Sequence, residues 1–154
     1  MIIYQVNEPQ TLDEQEILVF LKETDELLTP KLSSLVELEE YAKKITSKAV
    51  IFTARDAGQI IGLTAIYFNP APNYSYSTYS MVKREYQLVE MVGVKLSKCV
   101  SDYTKSNGSA GLRYEIRKSN KQLLKYNLKR GAKILKESVY PGTDIETLLM
   151  EITY

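Results

Sequence analysis

The chain has 154 residues, of which 44% are hydrophobic and 25% are charged, and its formal net charge is +1. This composition excludes the disordered and fibrous classes and predicts one globular domain, residues 1–154, with a full core. The single cysteine, Cys99, and the lack of histidine exclude an internal disulfide, zinc sites built on His and Cys, and imidazole bases. No apolar run is long enough to span a membrane, and the chain is expected in the cytoplasm.

The first 48 residues predict a short strand followed by two helices. Residues 2–6 have the composition of a strand. Two capping boxes, in which Ser or Thr precedes an acid by three residues, predict a helix from about residue 12 to about 27 and a second amphipathic helix after Pro30. The boxes are Thr11 with Glu14 and Ser34 with Glu37.

The middle of the chain has a β pattern. Residues 49–55 and 60–68 predict a hairpin in which Gly58 supplies the positive φ of a tight turn. Two prolines predict a loop at 69–73. Residues 74–82, YSYSTYSMV, alternate Ser or Thr with larger side chains, which predicts a strand with one small polar face and room there for something other than a core.

The last third predicts two helices and three strands. An apolar helical stripe extends from about residue 89 to 105 and ends before Gly108. A third capping box, Ser119 with Gln122, begins another helix, which ends at Gly131. The strands are predicted at 112–117, 132–139 and 146–153. The predicted order is therefore β, α, α, β, β, β, α, β, α, β, β.

Charge is unevenly distributed along the chain. Residues 1–48 carry −5 and residues 49–82 carry 0, whereas residues 83–133 carry +9 and residues 134–154 carry −3. A basic segment of this size indicates an anionic partner, either nucleic acid or a phosphorylated small molecule. Solvated helix faces are the alternative interpretation.

Two stretches of the basic segment carry a family pattern. In SNKQLLKYNLKRGAKI, Asn120 begins a helix and Gly131 follows eleven residues later, with Leu123 and Leu124 between them. VKREYQLVEMVGVKL is similar to a phosphate loop, Q/R-x-x-G-x-G/A, whose backbone N–H groups converge on a pyrophosphate. With the element order, these stretches resemble the GNAT superfamily of acyl-CoA-dependent N-acetyltransferases, in particular its bacterial small-molecule enzymes.

The sequence departs from the family pattern in both stretches. The Tyr that usually stands seven residues after the helix-starting Asn is Asn127, and the Phe that usually follows the Gly is Ala132. In the loop, a register that starts at Gln87 places Glu90 and Val92 at the glycine positions, whereas matching Gly93 to the last glycine displaces the register by one residue.

Two further cues concern the acceptor side of such a fold. A Pro-x-Leu-Ser segment precedes the second helix and a Tyr-x-Asn segment closes the third strand, and the resemblance implies that both border the acceptor pocket. These residues are Pro30, Leu32, Ser33, Tyr67 and Asn69. LRYEIRKSN is similar to the family's fifth strand and contains Glu115. Because Arg113 and Arg117 flank this residue, the alternative interpretation is that Glu115 forms a cross-strand ion pair.

The resemblance implies an α/β (α+β) GNAT fold with a mixed, mostly antiparallel central sheet, splayed fourth and fifth strands and about four helices. It implies acetyl-CoA as acyl donor and no metal. The backbone of Met81 and Val82 would bind the pantetheine arm, Asn120 would approach the cofactor, and basic side chains would meet the ribose phosphate. The pyrophosphate loop would comprise Leu88, Val89, Glu90, Met91, Val92 and Gly93.

The chemistry that the resemblance implies is transfer of an acetyl group to a primary amine by direct attack in a ternary complex. The acceptor is expected to be a small molecule such as an amino sugar. Glu115, Tyr76 and Glu85 are the candidate bases for the amine proton. Asn127, by donating a hydrogen bond, would assist departure of the thiolate.

Two alternatives remain open at this stage. The absent Tyr and the missing loop glycines indicate a GNAT-fold protein that binds acyl-CoA without catalysis. The basic segment indicates a nucleic-acid-binding module, with tyrosines for base stacking at positions 86, 103, 114 and 126. The favoured hypothesis involves neither nucleic acid nor membrane as partner, and allows a homodimer paired through terminal strands.

Overall fold

The computed structural model describes all 154 residues of the chain. The strands are β1 (Ile2–Asn7), β2 (Val50–Asp56), β3 (Gln59–Tyr67), β4 (Ser75–Val82), β5 (Gly111–Arg117), β6 (Lys133–Val139) and β7 (Glu146–Thr153). The α-helices are α1 (Glu14–Thr24), α2 (Leu38–Lys48), α3 (Val92–Ser106) and α4 (Lys121–Lys129). The predicted order of elements is confirmed. No helix combines the length and apolarity that crossing a membrane requires.

One seven-stranded sheet in the order β1-β2-β3-β4-β5-β7-β6 organises the fold. All neighbouring strands are antiparallel except β4 and β5, which are parallel, so the mixed, mostly antiparallel sheet is confirmed. Helices α1 and α2 pack on one face through Ile17, Phe20, Leu21 and Ile45. Helix α3 packs on the other, with α4 beyond it. We call these two faces of the sheet the α1/α2 face and the α3/α4 face.

Two glycines allow the hairpin and its packing. Gly58 has φ +82°, as the predicted hairpin turn requires. At Gly62 in β3, a Cβ atom would lie 2.9 Å from Cδ1 of Leu96 and 3.3 Å from Cγ1 of Val92. The missing side chain therefore lets the first two turns of α3 lie directly on the sheet.

The predicted helix starts at the capping boxes were wrong at all three sites. Asp13, not Thr11, caps α1 by accepting a hydrogen bond from the Gln15 N–H at 3.0 Å. Ser34 donates instead to the carbonyl of Lys31 at 2.6 Å, so α2 begins later without a side-chain cap. Asn120, which the family pattern had placed at the start of this helix, caps α4 in place of Ser119. Several Ser, Thr, Asp and Asn residues compete near each start, and the one that reaches a free N–H decides the boundary.

A β-bulge separates β4 from β5. Ala65 of β3 pairs with Tyr79 and the next residue, Ile66, pairs with Ser77, which leaves Thr78 as the extra residue of β4. Strands β4 and β5 share only three pairs, of which the last joins Ser77 to Tyr114. Because a bulge bends its strand, β4 turns away from β5 immediately after this pair. The predicted splay is confirmed, and we call the gap between residues 78–82 and 115–117 the cleft.

The bulge also decides which side chains share a face of β4. Strict alternation would place Tyr76 and Tyr79 on opposite faces, because they are three residues apart. The extra residue brings both to the α1/α2 face, and it leaves the small side chains of Ser77 and Ser80 on the α3/α4 face. Ser80 is exposed although its strand is central in the sheet, so the small polar face borders open space beside the cleft.

Candidate active site

The β4 side of the cleft is a free strand edge. From Tyr79 to Val82, β4 is paired with β3, and from Thr78 to Val82 it has no partner on its β5 side. Met81 and Val82, the residues predicted to bind pantetheine, lie on this edge and are half-buried. Unpaired backbone groups of an extended strand bind an extended, amide-containing chain in the way another strand would.

Unbonded backbone N–H groups lie beyond the end of β4, where α3 begins. The N–H of Val92 donates to the Val89 carbonyl at 3.2 Å, and that of Lys95 donates to Met91 at 3.0 Å, but those of Gly93 and Val94 have no backbone acceptor. Just before the helix, Glu90 and Met91 both have positive φ, +48° and +55°. Consecutive N–H groups in such a turn, together with a helix N-terminus, form a cradle for an anion.

Positive φ values occur at the first glycine position of either register of the loop. The register that starts at Gln87 assigns this position to Glu90, and the displaced register that ends at Gly93 assigns it to Met91; both residues have the positive φ that glycine would adopt readily. Burial, and then the nearby carboxylate of Glu90, raise the pKa of Tyr4 on β1. The Glu90 carboxylate therefore lies within electrostatic range of Tyr4 on β1.

Positive charge borders the α3/α4 face. Of the basic side chains in residues 83–133, those of Lys83, Lys98, Arg113 and Lys118 form ion pairs with acids. Lys121, Lys125 and Lys129 on α4 are exposed and form no ion pair. Arg130 donates to Oγ of Ser97 at 3.3 Å, which links the end of α4 to α3. Asn120 uses its side-chain oxygen to cap α4, so its side-chain N–H₂ group has no acceptor within the chain.

Glu115 forms no ion pair, contrary to the alternative role considered for it. Arg113 binds Glu151 at 2.9 Å, across the strand pair. Arg117 donates to the Thr29 carbonyl at 2.6 Å and to the hydroxyl of Tyr140 at 2.8 Å. The exposed carboxylate of Glu115, on the β5 edge of the cleft, is therefore unpaired and free to accept a proton or bind a cation.

Tyr76 lies next to Glu115 on the α1/α2 face, with Tyr67 beside it. Burial, followed by the Glu115 carboxylate, raises the pKa of Tyr76 to about 12, so this phenol keeps its proton at neutral pH and can donate a hydrogen bond. Tyr67 pairs with Tyr76 across β3 and β4, and its buried hydroxyl has no partner. Lys44 lies 5.5 Å above the ring of Tyr67. This side of the cleft is thus a phenol-lined surface with one free carboxylate.

The other residues that were predicted to border the pocket for the acceptor amine have different surroundings. Ser33 donates its N–H and its hydroxyl to Asp25 at 2.8 and 2.6 Å, and Leu32 is buried in the core. Pro30 follows the carbonyl that Arg117 binds, so this connection is held against β5. Asn69 donates to the Tyr74 carbonyl at 3.1 Å, before β4 begins and away from the open end of the cleft.

Two residues define the α3/α4 side of the last β4–β5 pair. Asn127 is 5% exposed, and both halves of its amide are occupied: Nδ2 donates to the Leu123 carbonyl at 2.8 Å, and Oδ1 accepts from the hydroxyl of Tyr114. From the sequence, Tyr114 was expected only as a base-stacking residue of the nucleic-acid hypothesis. Strand alternation in LRYEIR, which places this phenol on the face opposite to Glu115, is the signal that could have identified it.

The tyrosines of the nucleic-acid hypothesis do not form a common surface. Tyr86 donates to Asp56 at 2.6 Å, and Tyr103 packs edge-on against Phe52 at a centroid distance of 5.5 Å. Tyr114 lies against Asn127, and Tyr126 lies under the Arg130 guanidinium at 5.2 Å. Stacking of successive bases requires exposed rings in a row, and this arrangement does not provide one.

No family model matches the sequence. No curated protein matches it either. Solved structures share its fold. An acetyltransferase of the GNAT family from Streptococcus pneumoniae has a TM-score of 0.72 and 18% identity, with 99% of each chain covered. The ribosomal-protein-S18-alanine N-acetyltransferase of Escherichia coli has a TM-score of 0.72 and 15% identity, covering 98% of this chain and 94% of that one.

An acetyltransferase from Bacillus anthracis, solved in complex with acetyl coenzyme A, has a TM-score of 0.58 and 21% identity, covering 70% of this chain and 64% of that one. Together with the seven-stranded sheet and its splayed fourth and fifth strands, these similarities define the chain as a protein with the GNAT acetyltransferase fold. The expected fold class is confirmed.

Proposed function

We propose that this protein is an N-acetyltransferase that transfers the acetyl group of acetyl-CoA to a primary amine of a small molecule, such as an amino sugar. The observation that carries the proposal is the alignment of two features along one path. A free β4 edge begins at the Thr78 bulge, and the unbonded N–H groups near Gly93 lie beyond its far end.

The cofactor would follow that path. The N–H groups around Met91 and Gly93 would bind the pyrophosphate, and the free edge at Met81 and Val82 would bind the amides of the pantetheine arm. The side-chain N–H₂ of Asn120 and the unpaired lysines of α4 would meet the ribose phosphate. The acyl end would then lie near Thr78, where the strands meet. A backbone N–H of β4 there would polarise the thioester carbonyl.

The acceptor would enter from the α1/α2 face. An amine is mostly protonated at neutral pH and must lose a proton before it attacks, which the unpaired carboxylate of Glu115 can accept. Tyr76, which keeps its proton, can orient the acceptor with a hydrogen bond. The amine nitrogen would then attack the carbonyl carbon directly in the ternary complex, so that proximity supplies much of the rate.

Two observations favour a small cationic acceptor. Phenol rings beside one free carboxylate attract an ammonium group through both charge and the ring faces. The bond from Arg117 to the Thr29 carbonyl holds the α1–α2 connection against β5, beside the α1/α2 side of the cleft. A connection fixed in this position leaves less freedom for a protein chain than for a small molecule.

Calorimetric titration with acetyl-CoA, followed by thiol-release assays with amines, tests the proposal. The panel includes amino sugars, polyamines and amino acids, with a peptide that has a free N-terminus as the contrasting class. We expect acetyl-CoA binding and thiol release with a small amine. Binding without release from any acceptor would favour the non-catalytic hypothesis. No binding, with salt-dependent affinity for RNA or DNA, would favour the nucleic-acid hypothesis.

A further inference from the structure

The departing sulfur of CoA needs a hydrogen-bond donor that Asn127 does not supply in this structure. The amide N–H₂ of Asn127 donates to the Leu123 carbonyl of its own helix at 2.8 Å. Its other polar atom, Oδ1, is an acceptor, and it accepts the hydroxyl of Tyr114. A developing thiolate needs a donor, and the hydroxyl next to Asn127 is one.

We propose that Tyr114 donates a hydrogen bond to the CoA sulfur as it leaves, and that Asn127 positions Tyr114 for this role. This inference rests on the proposed function, because it requires acyl-CoA in the cleft. The hydrogen bond to the sulfur then comes from a residue of β5, whereas the resemblance had implied a residue of α4, Asn127.

The placement of Tyr114 supports the assignment. Tyr114 pairs with Ser77 in the last β4–β5 pair, so its side chain stands where the cleft closes. It projects onto the α3/α4 face, as do Ser77 and Ser80 on β4, and these small neighbours leave space beside the phenol. The acyl end of a carrier bound along the β4 edge would stop at this position, because the strands are paired beyond it.

Asn127 restricts the orientation of the phenol. Its side chain is buried, and the bond from Nδ2 to Leu123 leaves only Oδ1 directed at Tyr114. A buried amide held in this way gives the hydroxyl one acceptor in the resting protein. When a thiolate forms nearby, the O–H bond can rotate toward the charged sulfur, since hydrogen bonds to charged groups are the stronger ones.

The step forms one bond and breaks one, and each proton that moves has an acceptor. The amine nitrogen bonds to the carbonyl carbon and loses a proton to Glu115; the C–S bond then breaks and its electron pair stays on sulfur. Burial raises the pKa of Tyr114 to about 12, an effect that Arg130 opposes and that Tyr126 and Tyr154 add to. A free thiol titrates near about 8.5, so Tyr114 keeps its proton and the sulfur takes one from solvent.

The test measures the pKa of the CoA thiol in the binary complex, which requires no acceptor amine. CoA is bound to the wild-type protein and to Tyr114→Phe, and thiolate absorbance is followed against pH. The same protein without CoA is the blank, which removes the contributions of Cys99 and the tyrosines. Tyr126→Phe is the matched control, because it removes a phenol from α4 that has no bond to Asn127.

We expect Tyr114→Phe to bind CoA and to raise the pKa of the bound thiol by about one unit relative to wild type, a tenfold loss of thiolate. Tyr126→Phe should leave it unchanged. Asn127→Ala should raise it by a smaller amount, because the phenol is then less well oriented.

If CoA binds and Tyr114→Phe has the wild-type thiol pKa, the assignment is overturned while the proposed function stands. If CoA does not bind to the wild-type protein, both are overturned. The two failures are therefore distinguishable. Tyr114→Phe removes a single oxygen, so we expect the variant to fold. Its urea-unfolding curve verifies that the comparison is made between folded proteins.

Discussion

The hydroxyl of Tyr41 lies 2.7 Å from Oγ1 of Thr78 and donates to the Thr78 carbonyl at 3.2 Å. Helix α2 thus holds the residue of β4 that the bulge leaves without a partner on β3. The tether stabilises the bend that separates β4 from β5, and with it the cleft. A helix on the α1/α2 face is in this way bonded to the strand edge along which the proposed cofactor would lie.

Deletion of Thr78 should close the cleft without unfolding the protein. The remaining residues, Ser77 followed by Tyr79, alternate correctly between the two faces, so β4 can continue as a regular strand beside β5. We expect acetyl-CoA affinity to fall at least about tenfold, measured by calorimetry. Thr78→Ser, which keeps the extra residue and its hydroxyl, is the control. Unchanged affinity in the deletion variant would separate cofactor binding from the bulge.

Glu115→Gln should reduce turnover while leaving the cofactor site intact. Glutamine keeps the shape of the side chain but cannot accept the amine proton, so kcat should fall about 10²-fold or more. The Kd for acetyl-CoA should remain at the wild-type value. Glu85→Gln serves as the comparison, because Glu85 is the other carboxylate considered as a base. A large loss in Glu85→Gln and none in Glu115→Gln would transfer the role to Glu85.

Two substitutions at Glu90 should separate charge from backbone strain in the phosphate loop. Glu90→Gly removes the charge and suits φ +48°, whereas Glu90→Gln removes only the charge. We expect Glu90→Gly to be more stable to urea than Glu90→Gln, by up to about 1 kcal/mol. Because the carboxylate lies near Tyr4, Glu90→Gln should change CoA affinity by less than about threefold. A tenfold gain in Glu90→Gln would place the charge at the pyrophosphate.

Tyr79→Phe should alter the alkaline limit of stability. Burial raises the pKa of Tyr79 to about 12, although the hydrogen bond with Thr24, 2.7 Å long, lowers it in part. Since the folded pKa exceeds the unfolded value of about 10, this phenol's contribution is complete below pH ~10 and is lost as the pH rises toward ~12. That loss is about 1.4 kcal/mol per pH unit in the wild-type protein.

The variant should therefore be less stable at neutral pH and less sensitive to alkali. Loss of the hydrogen bond lowers its unfolding free energy by about 1 kcal/mol at pH 7. The wild-type and Tyr79→Phe curves, from urea unfolding at several pH values, should meet near pH 11, where about 1.4 kcal/mol of the wild-type advantage has been lost. Parallel curves up to pH 11 would show that Tyr79 titrates normally.

The element order could be predicted from the sequence because its signals are local. The hairpin at Gly58 and the stop at Gly131 depend on φ values that glycine adopts readily, +82° and +91°. The helix starts were less predictable. Asp13 and Thr11 are two residues apart and both suit a cap, and only the folded backbone decides which one reaches a free N–H.

The candidate site, too, was only partly predictable from the sequence. The resemblance predicted a pyrophosphate loop at residues 88–93 and an acid in β5, the alternating pattern predicted the strand at 74–82, and the composition excluded chemistry that depends on histidine. Tertiary structure decided that Glu115 is unpaired, because Arg117 binds Thr29, 88 residues away. It likewise decided that Asn127 faces Tyr114 on another element.

The sequence by itself determined the order of strands and helices, the glycine turns and the set of side chains available for chemistry, because these depend on periodicity and on backbone freedom within a few residues. Only the tertiary structure decided where β4 leaves β5, that Tyr76 and Tyr79 share a face, and which polar groups remain free. The reason is physical: the bulge at Thr78 and each hydrogen-bond partner depend on side chains that folding brings together from distant parts of the chain.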